Sequence, residues 1–293
     1  MVARPRRSVL YMPGSNAKAL AKAKTLPADA LILDLEDSVA PEAKVEARAQ
    51  VMAAVKTGGF GSREVVVRIN GLHTPWGEAD LAAAIAARPD AILLPKVDGP
   101  GTIMVAARAL RDARAPEKTR IWAMVETPMA ILSVGSIAAT AADSTSRLEV
   151  LVMGLNDLAK ETRARLTPDR AIFVPVISRA LMAARAHGCD LLDGVYNAIG
   201  DIPGFRAECE QGRTYGMDGK TLIHPSQIDI CNEVFGPSTE EVESARAIIE
   251  AFRLPENADK GVIQLNGRMV ERLHAEMAER TLAIADAIAG PKA

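Results

Sequence analysis

The stretch EVVVRINGLHTPWGEADLAAAIAARPDAILLPK, running from Glu64 to Lys96, decides the fold. It opens on Val65, Val66 and Val67, crosses a turn-rich segment and enters a helix-like run from Trp76 to Ala86. It closes on a second short apolar run, Ala91 to Pro95. An unbroken β-branched run reads as a strand covered on both faces, as in a parallel sheet, and the helix between two such runs is the crossover that parallel strands require. The same alternation extends in both directions. Upstream lie strand-like Ser8 to Met12 and Ala30 to Leu35, followed by helical Asn16 to Lys24 and Pro41 to Val55. Downstream, strands are predicted at Arg120 to Val125, Val150 to Met153, Leu191 to Gly194 and Gly219 to Ile223. Helices are predicted at Thr102 to Ala113, Met129 to Ala139, Val176 to Ala186, Phe205 to Gly212 and Pro225 to Val234. Eight strand–helix units in order predict an α/β chain closed into a (β/α)₈ barrel rather than an open doubly wound sheet.

The connection from Asn156 to Pro175 is polar, carries two prolines and reads as a long loop, a length often tied to function. Past Gly236 the pattern changes, so residues 1–236 are expected to form the barrel and 237–293 a helical extension. In that extension Glu240 to Phe252 reads as an amphipathic helix, Val262 to Leu265 as a short apolar run and Arg268 to Ile288 as a second long helix. So short a tail is expected to pack on the barrel, on a neighbouring subunit, or on both.

Of the residues, 48% are hydrophobic but only 3% aromatic, which suits aliphatic layers of strands and helices. The 35 basic and 37 acidic side chains leave a formal charge of -2, which argues against a nucleic-acid partner. No stretch reaches membrane-spanning length, and Cys189, Cys209 and Cys231 lack metal-site spacing. A cytoplasmic protein with reduced thiols is expected, without a membrane partner.

In a barrel of this kind the chemistry sits at the C-terminal ends of the strands. Those positions are unusually polar here. Strand two ends in Asp34-Leu35-Glu36-Asp37, strand three in Arg68-Ile69-Asn70 and strand four in Pro95-Lys96; strand five runs into Glu126, strand six into Asn156-Asp157 and strand eight into His224. Glu126 and Asp157, on neighbouring strands, are candidates for a hard divalent cation such as Mg²⁺, which takes one or two protein carboxylates and leaves positions for water and substrate. The alternative makes them ordinary helix N-terminal carboxylates. Arg68 could clamp a carboxylate or an oxyanion, or else form a structural ion pair with Asp34 or Glu36. Glu36 and Asp37 are adjacent, so their side chains diverge if strand two continues, and one could then face the cavity to orient a metal-bound water while the other anchors a loop. No dinucleotide-binding glycine pattern is present.

The ordered segments Arg7-Ser8-Val9-Leu10-Tyr11-Met12-Pro13-Gly14, Asp34 to Val39, Val67 to Asn70, Leu94-Pro95-Lys96, Glu126-Thr127-Pro128, Gly154 to Leu158 and Gly219 to Ile228 resemble the citrate lyase beta-subunit-like branch of the HpcH/HpaI aldolase family, which includes malyl-CoA and citramalyl-CoA lyases. The likeness runs through roughly the whole chain. It implies Mg²⁺ on Glu126 and Asp157, Arg68 on substrate oxygens, and Asp37, with Glu36 beside it, ordering water or supporting the metal. It places Arg7 and Gly14 near bound CoA, and makes Pro95, Lys96 and Asn156 substrate or CoA contacts. It implies homotrimers or homohexamers in which a C-terminal segment brings a catalytic Asp to a neighbour's site. The matching position here is Glu271, in Asn266-Gly267-Arg268-Met269-Val270-Glu271, whose extra methylene puts the exact reaction in question. The reaction so implied is reversible Claisen-type cleavage of a 3-hydroxyacyl-CoA to acetyl-CoA and a 2-oxo acid. Thioester hydrolysis of the same substrate, or citryl-CoA cleavage within a complex, stand as alternatives.

Overall fold

Strands β1 (Ser8–Pro13), β2 (Ala30–Asp34), β3 (Glu64–Arg68), β4 (Ala91–Leu94), β5 (Arg120–Val125), β6 (Leu148–Met153), β7 (Asp190–Asp193) and β8 (Gly219–Leu222) pair in sequence order, and β8 pairs with β1 in parallel to close a (β/α)₈ barrel. The structure, a computed structural model, describes residues 4–290. Helices α1 (Ala17–Ala23), α2 (Lys44–Thr57), α3 (Gly77–Ala87), α4 (Pro100–Asp112) and α5 (Pro128–Ala139) follow the first five strands. Next come α6 (Leu155–Thr162) and α7 (Val174–Ala186) after β6, α8 (Ile202–Tyr215) after β7, and α9 (Ile228–Phe235) after β8. The chain divides into two units, one spanning Arg6–Asn232 and the other formed mainly by the residues from Glu233 onward. No helix among the described residues is long and apolar enough to cross a membrane.

Strand alternation divides the barrel residues between two environments. Val9, Ala30, Ile32, Val66, Ala91, Leu93, Trp122, Met124, Val150, Val152 and Leu192 form one buried cluster with Tyr11 against it. Strands β1 to β7 contribute to it, and where a strand contributes two residues they are two positions apart, so this cluster is the barrel interior. The other set, including Leu31, Leu33, Val67, Ile92 and Leu151, is equally buried. Burial on both faces explains why the strands read as continuous apolar runs. At the N-terminal end of the barrel Arg6 bonds Glu64 at 2.7 Å, Glu149 at 2.7 Å and Asp190 at 2.6 Å, and stacks 5.3 Å from the Trp122 ring centre. One cation thus ties β3, β6 and β7 beneath the core.

A second buried ionic cluster ties α8 to the barrel wall. The Lys220 ammonium lies 3.0 Å from Asp193 and 2.6 Å from Glu208, while Arg170 donates to both Asp193 oxygens at 2.7 and 2.8 Å. Although burial works against its charge, these cations hold the Asp193 carboxyl below the usual carboxylate range. The stabilisation is therefore present above about pH 4 and is lost on acidification below it. Lys220→Met leaves Asp193 and Glu208 short of a counter-charge in the interior and is expected to cost about 3–5 kcal/mol. A fall in the urea midpoint at unchanged m-value is the check.

Two segments differ from the sequence reading. The connection beginning at Asn156 is not all loop, because residues Leu155–Thr162 form α6 with Asp157 in its first turn. In the C-terminal unit Arg268 does not begin a helix. Residues Val262–Leu265 (β9) and Arg268–Glu271 (β10) pair antiparallel across Asn266 and Gly267, which take φ of +50° and +77°. That is the left-handed pair a tight hairpin turn demands, and Asn-Gly supplies it readily. Helices α10 (Thr239–Arg253) and α11 (Arg272–Ala289) frame this hairpin, and Phe252, Ile263 and Val270 form the unit's small core.

Candidate active site

The interior alternation, continued one step past the apolar core, puts polar residues at the C-terminal mouth of the barrel. Asp34 follows Ile32 by two positions, Arg68 follows Val66 and Glu126 follows Met124, so each continues its strand's inward set. Asp34 and Arg68 are partners in the β2–β3 register, and their side chains form a two-pronged ion pair at 2.6 and 2.8 Å. Asp34 also accepts the backbone N–H groups of Glu36 at 2.9 Å and Ser38 at 3.1 Å. Burial opposes its charge, yet Arg68 and these donors hold the Asp34 carboxyl below its ordinary value.

The remaining edge of the Arg68 guanidinium faces two more carboxylates. Nη1 lies 2.8 Å from Glu36 and 3.4 Å from Asp37, and the guanidinium stacks 4.8 Å from the Tyr11 ring centre. β2 does not continue through Glu36 and Asp37; it ends at Asp34, and the turn returns both side chains to Arg68. They differ in exposure instead. Asp37 is 65% exposed and lines the cavity, whereas Glu36 is buried. Burial pushes the Glu36 carboxyl up to about 8; Arg68 opposes that shift, and the charges of Glu126, Asp37 and Asp34 add to it.

Across the mouth, Glu126 is fully buried between β5 and the Thr127 cap of α5. Its Oε1 accepts the Lys96 backbone N–H at 2.8 Å, while its Oε2 has no hydrogen-bond partner. The Lys96 ammonium bridges the two candidate metal carboxylates, 2.5 Å from Asp157 and 3.4 Å from Glu126. Burial raises the Glu126 carboxyl above its ordinary value and the Asp157 charge adds to this, while Lys96 works against it. Gly154 makes the approach possible, since a Cβ there would collide with the Glu126 side chain. A buried, unpartnered carboxylate oxygen beside a half-exposed carboxylate suits a hard cation that keeps open positions. The donor set is these two carboxylates, and no group of three or more His, Cys, Asp or Glu side chains able to hold a metal exists among the described residues.

Arg68, Asp37, Glu126, Asn156 and Asp157 thus line one cavity of about 320 Å³. Its polar rim includes Asn156 and Asn197, which exchange hydrogen bonds at 2.8 and 3.1 Å. Pro95 stands just beyond β4, ahead of Lys96. Gly14 ends β1 against β2 and donates to the Asp34 carbonyl at 2.8 Å; it does not line the cavity. Arg7 precedes β1, at the opposite end of the barrel from the mouth, and its guanidinium is held by Asp29 at 2.8 Å. Glu271 lies in the C-terminal unit at the start of α11, where its N–H donates to His274. His224 serves locally, its Nδ1 accepting the Ser226 N–H. Sequence reasoning missed Tyr11, Met124, Met153, Thr221 and Ile223 as lining residues. The signal for the first two was the same period of two that carries Arg68 and Glu126.

A closed barrel whose mouth gathers an arginine and several carboxylates around one cavity has the architecture in which barrel enzymes keep their reacting groups. The profile described as HpcH/HpaI aldolase/citrate lyase matches residues 7–225, and the chain belongs to that family. Among its relatives, a "(3S)-malyl-CoA thioesterase" of Cereibacter sphaeroides is 48% identical over 291 residues, covering 99% of this chain and 98% of that protein. A "Citrate lyase subunit beta" of Escherichia coli is 34% identical, covering 92% of this chain and 89% of that one. The solved structure of CitE from Mycobacterium tuberculosis, in complex with magnesium, acetoacetate and coenzyme A, superposes with a TM-score of 0.76 at 28% identity, over 98% of this chain and 100% of that one.

Proposed function

We propose that this chain acts on a malyl-type 3-hydroxyacyl-CoA at the barrel mouth, and that the reaction it favours is hydrolysis of the thioester. The observation that carries this reading is the full-length similarity, at 48% identity, to a protein named for that activity. Glu271, where the resemblance implies an Asp in the carbon–carbon lyases, agrees with a departure from cleavage. The cavity suits the acyl head rather than a whole coenzyme, so the CoA arm would extend outward past the rim.

Arg68 binds an oxygen of the acyl group in place of Asp37, the most exposed of its acidic partners and the easiest to displace. Asp34 fixes the guanidinium plane through its two-pronged pair, so the arginine arrives oriented. Asp37 accepts the proton of a water whose oxygen adds to the thioester carbonyl carbon. The carbon–sulfur bond then breaks, and the CoA sulfur takes up a proton. Glu126 and Asp157 would hold Mg²⁺, and the chemistry such an ion supplies is polarisation of a carbonyl oxygen. Free hydroxy acid and CoA are the products.

Carbon–carbon cleavage of the same substrate is the second reading, favoured by the citrate lyase beta relatives. It needs loss of the 3-hydroxyl proton and protonation of the departing acetyl-CoA enolate. Glu271, reaching the site from a neighbouring copy in a trimer or hexamer, would be its proton carrier. Mass spectrometry of products after incubation with Mg²⁺ and malyl-CoA, citramalyl-CoA or citryl-CoA, with an EDTA control, separates the two. Hydrolysis gives malate and CoA without acetyl-CoA. Metal-dependent acetyl-CoA with glyoxylate or pyruvate would overturn it in favour of the lyase, and there Glu271→Ala should then stop turnover.

A further inference from the structure

Lys96 is held in an unusual way. It is a non-glycine residue at φ +51°, in the left-handed region that side chains ordinarily avoid. That backbone turn aims its N–H at Glu126 Oε1, 2.8 Å away, and lets the same residue's ammonium return to the carboxylate pair. The ammonium sits 2.5 Å from Asp157 Oδ1 and 3.4 Å from Glu126 Oε1. One residue therefore touches Glu126 twice and bridges it to Asp157. The bridge neutralises charge at a place where burial makes two adjacent carboxylates costly.

A divalent ion held by the same two carboxylates needs oxygens at about 2.0–2.1 Å and excludes a second cation from the space between them. We infer that Lys96 is the resident counter-cation of the metal site, and that loading Mg²⁺ is an exchange in which its ammonium leaves the gap between Glu126 and Asp157. The inference rests on the assignment of those two residues as metal ligands. The backbone N–H stays on Glu126 throughout, so the carboxylate keeps its orientation while the charge beside it changes. The apparent affinity for Mg²⁺ is then the difference between two cations competing for one pair. This sets Lys96 apart from a simple substrate contact, which would leave metal affinity unchanged.

The test is calorimetric titration of MgCl₂ into EDTA-stripped, dialysed full-length protein, with thermal melting measured in EDTA and in Mg²⁺. Lys96→Met is expected to bind Mg²⁺ about tenfold more tightly than the wild type, because a cation repelling the incoming ion has been removed. In EDTA it should melt below the wild type, since the carboxylates lose their partner, and Mg²⁺ should raise its melting temperature by more than it raises that of the wild type. Lys96→Gln, which keeps a polar side chain without the charge, serves if Lys96→Met is recovered in poor yield, and the same tightening is expected. Unchanged or weaker Mg²⁺ binding in both variants, with binding abolished by Glu126→Gln, would overturn the exchange while leaving the metal site standing. Absence of Mg²⁺ binding in wild type and variants alike would overturn the metal assignment, and the exchange with it.

Discussion

Glu126→Gln is expected to lower kcat/KM by about a thousandfold or more and to abolish Mg²⁺ binding, while the protein stays folded. The substitution keeps the shape of the side chain and an acceptor for the Lys96 N–H, so the loop after β4 retains its anchor. It removes one of the two carboxylates proposed to hold the cation and converts the unpartnered buried oxygen into a neutral amide. Burial already raises the Glu126 carboxyl above its ordinary value, so neutralising it carries little penalty for the fold. Calorimetry with MgCl₂, steady-state kinetics and a melting curve report on the three parts separately. Retained Mg²⁺ binding with activity within tenfold of wild type would remove Glu126 from the site.

Arg68→Met is expected to have two effects with opposite dependences on design. The cation that binds the substrate oxygen is lost, and kcat/KM should fall by about 10²–10³-fold. Asp34 is also left buried without its two-pronged partner, at a cost of about 3–5 kcal/mol. The sign of the pH dependence distinguishes this from a packing defect. In the wild type the Asp34 carboxyl is held below its ordinary value, so its contribution to stability is present above about pH 4 and lost in acid. Without Arg68, burial is opposed only by the Glu36 and Ser38 N–H donors, and the carboxyl is expected to rise. The stability then gained by protonation is complete below about pH 4 and fades as pH rises. The deficit of the variant relative to wild type should thus be largest at neutral pH and shrink towards pH 4. Urea midpoints at pH 5 and pH 7.5 would show it; an equal deficit at both would mean that removing Arg68 does not raise the Asp34 carboxyl.

The two predictions concern residues that could be singled out from the chain alone, but for different reasons. Val65 to Val67 and Ala91 to Leu94 announced strands buried on both faces, and eight such runs left a closed barrel as the simplest arrangement. Once the barrel is accepted, a polar residue just past each apolar run belongs to its mouth, which is how Arg68, Glu126 and Asp157 were found. Tyr11 escaped notice because an aromatic in a strand is ordinarily core, and only its place one layer below Arg68 reveals a second use. Arg7 and Gly14 stand in one motif yet at opposite faces of the barrel, because the six residues of β1 carry the chain from one face to the other. The hairpin at Asn266-Gly267 was legible from its turn chemistry alone, yet the helical spacing downstream of it overrode that signal.

The eight barrel strands in their order, the closure of the barrel and the polar character of its mouth were therefore legible in the chain alone. These follow from local periodicity and from the need to bury apolar faces, and both are written into neighbouring residues. Pairings across the mouth were decided only by the tertiary structure. That Asp34 claims Arg68 in register, that Glu36 is buried while Asp37 stays exposed, and that the Lys96 ammonium lies between Glu126 and Asp157 all depend on distances between side chains tens of residues apart. The energy of a buried charge is set by its few nearest partners and by the exclusion of solvent, and neither is defined until the barrel closes.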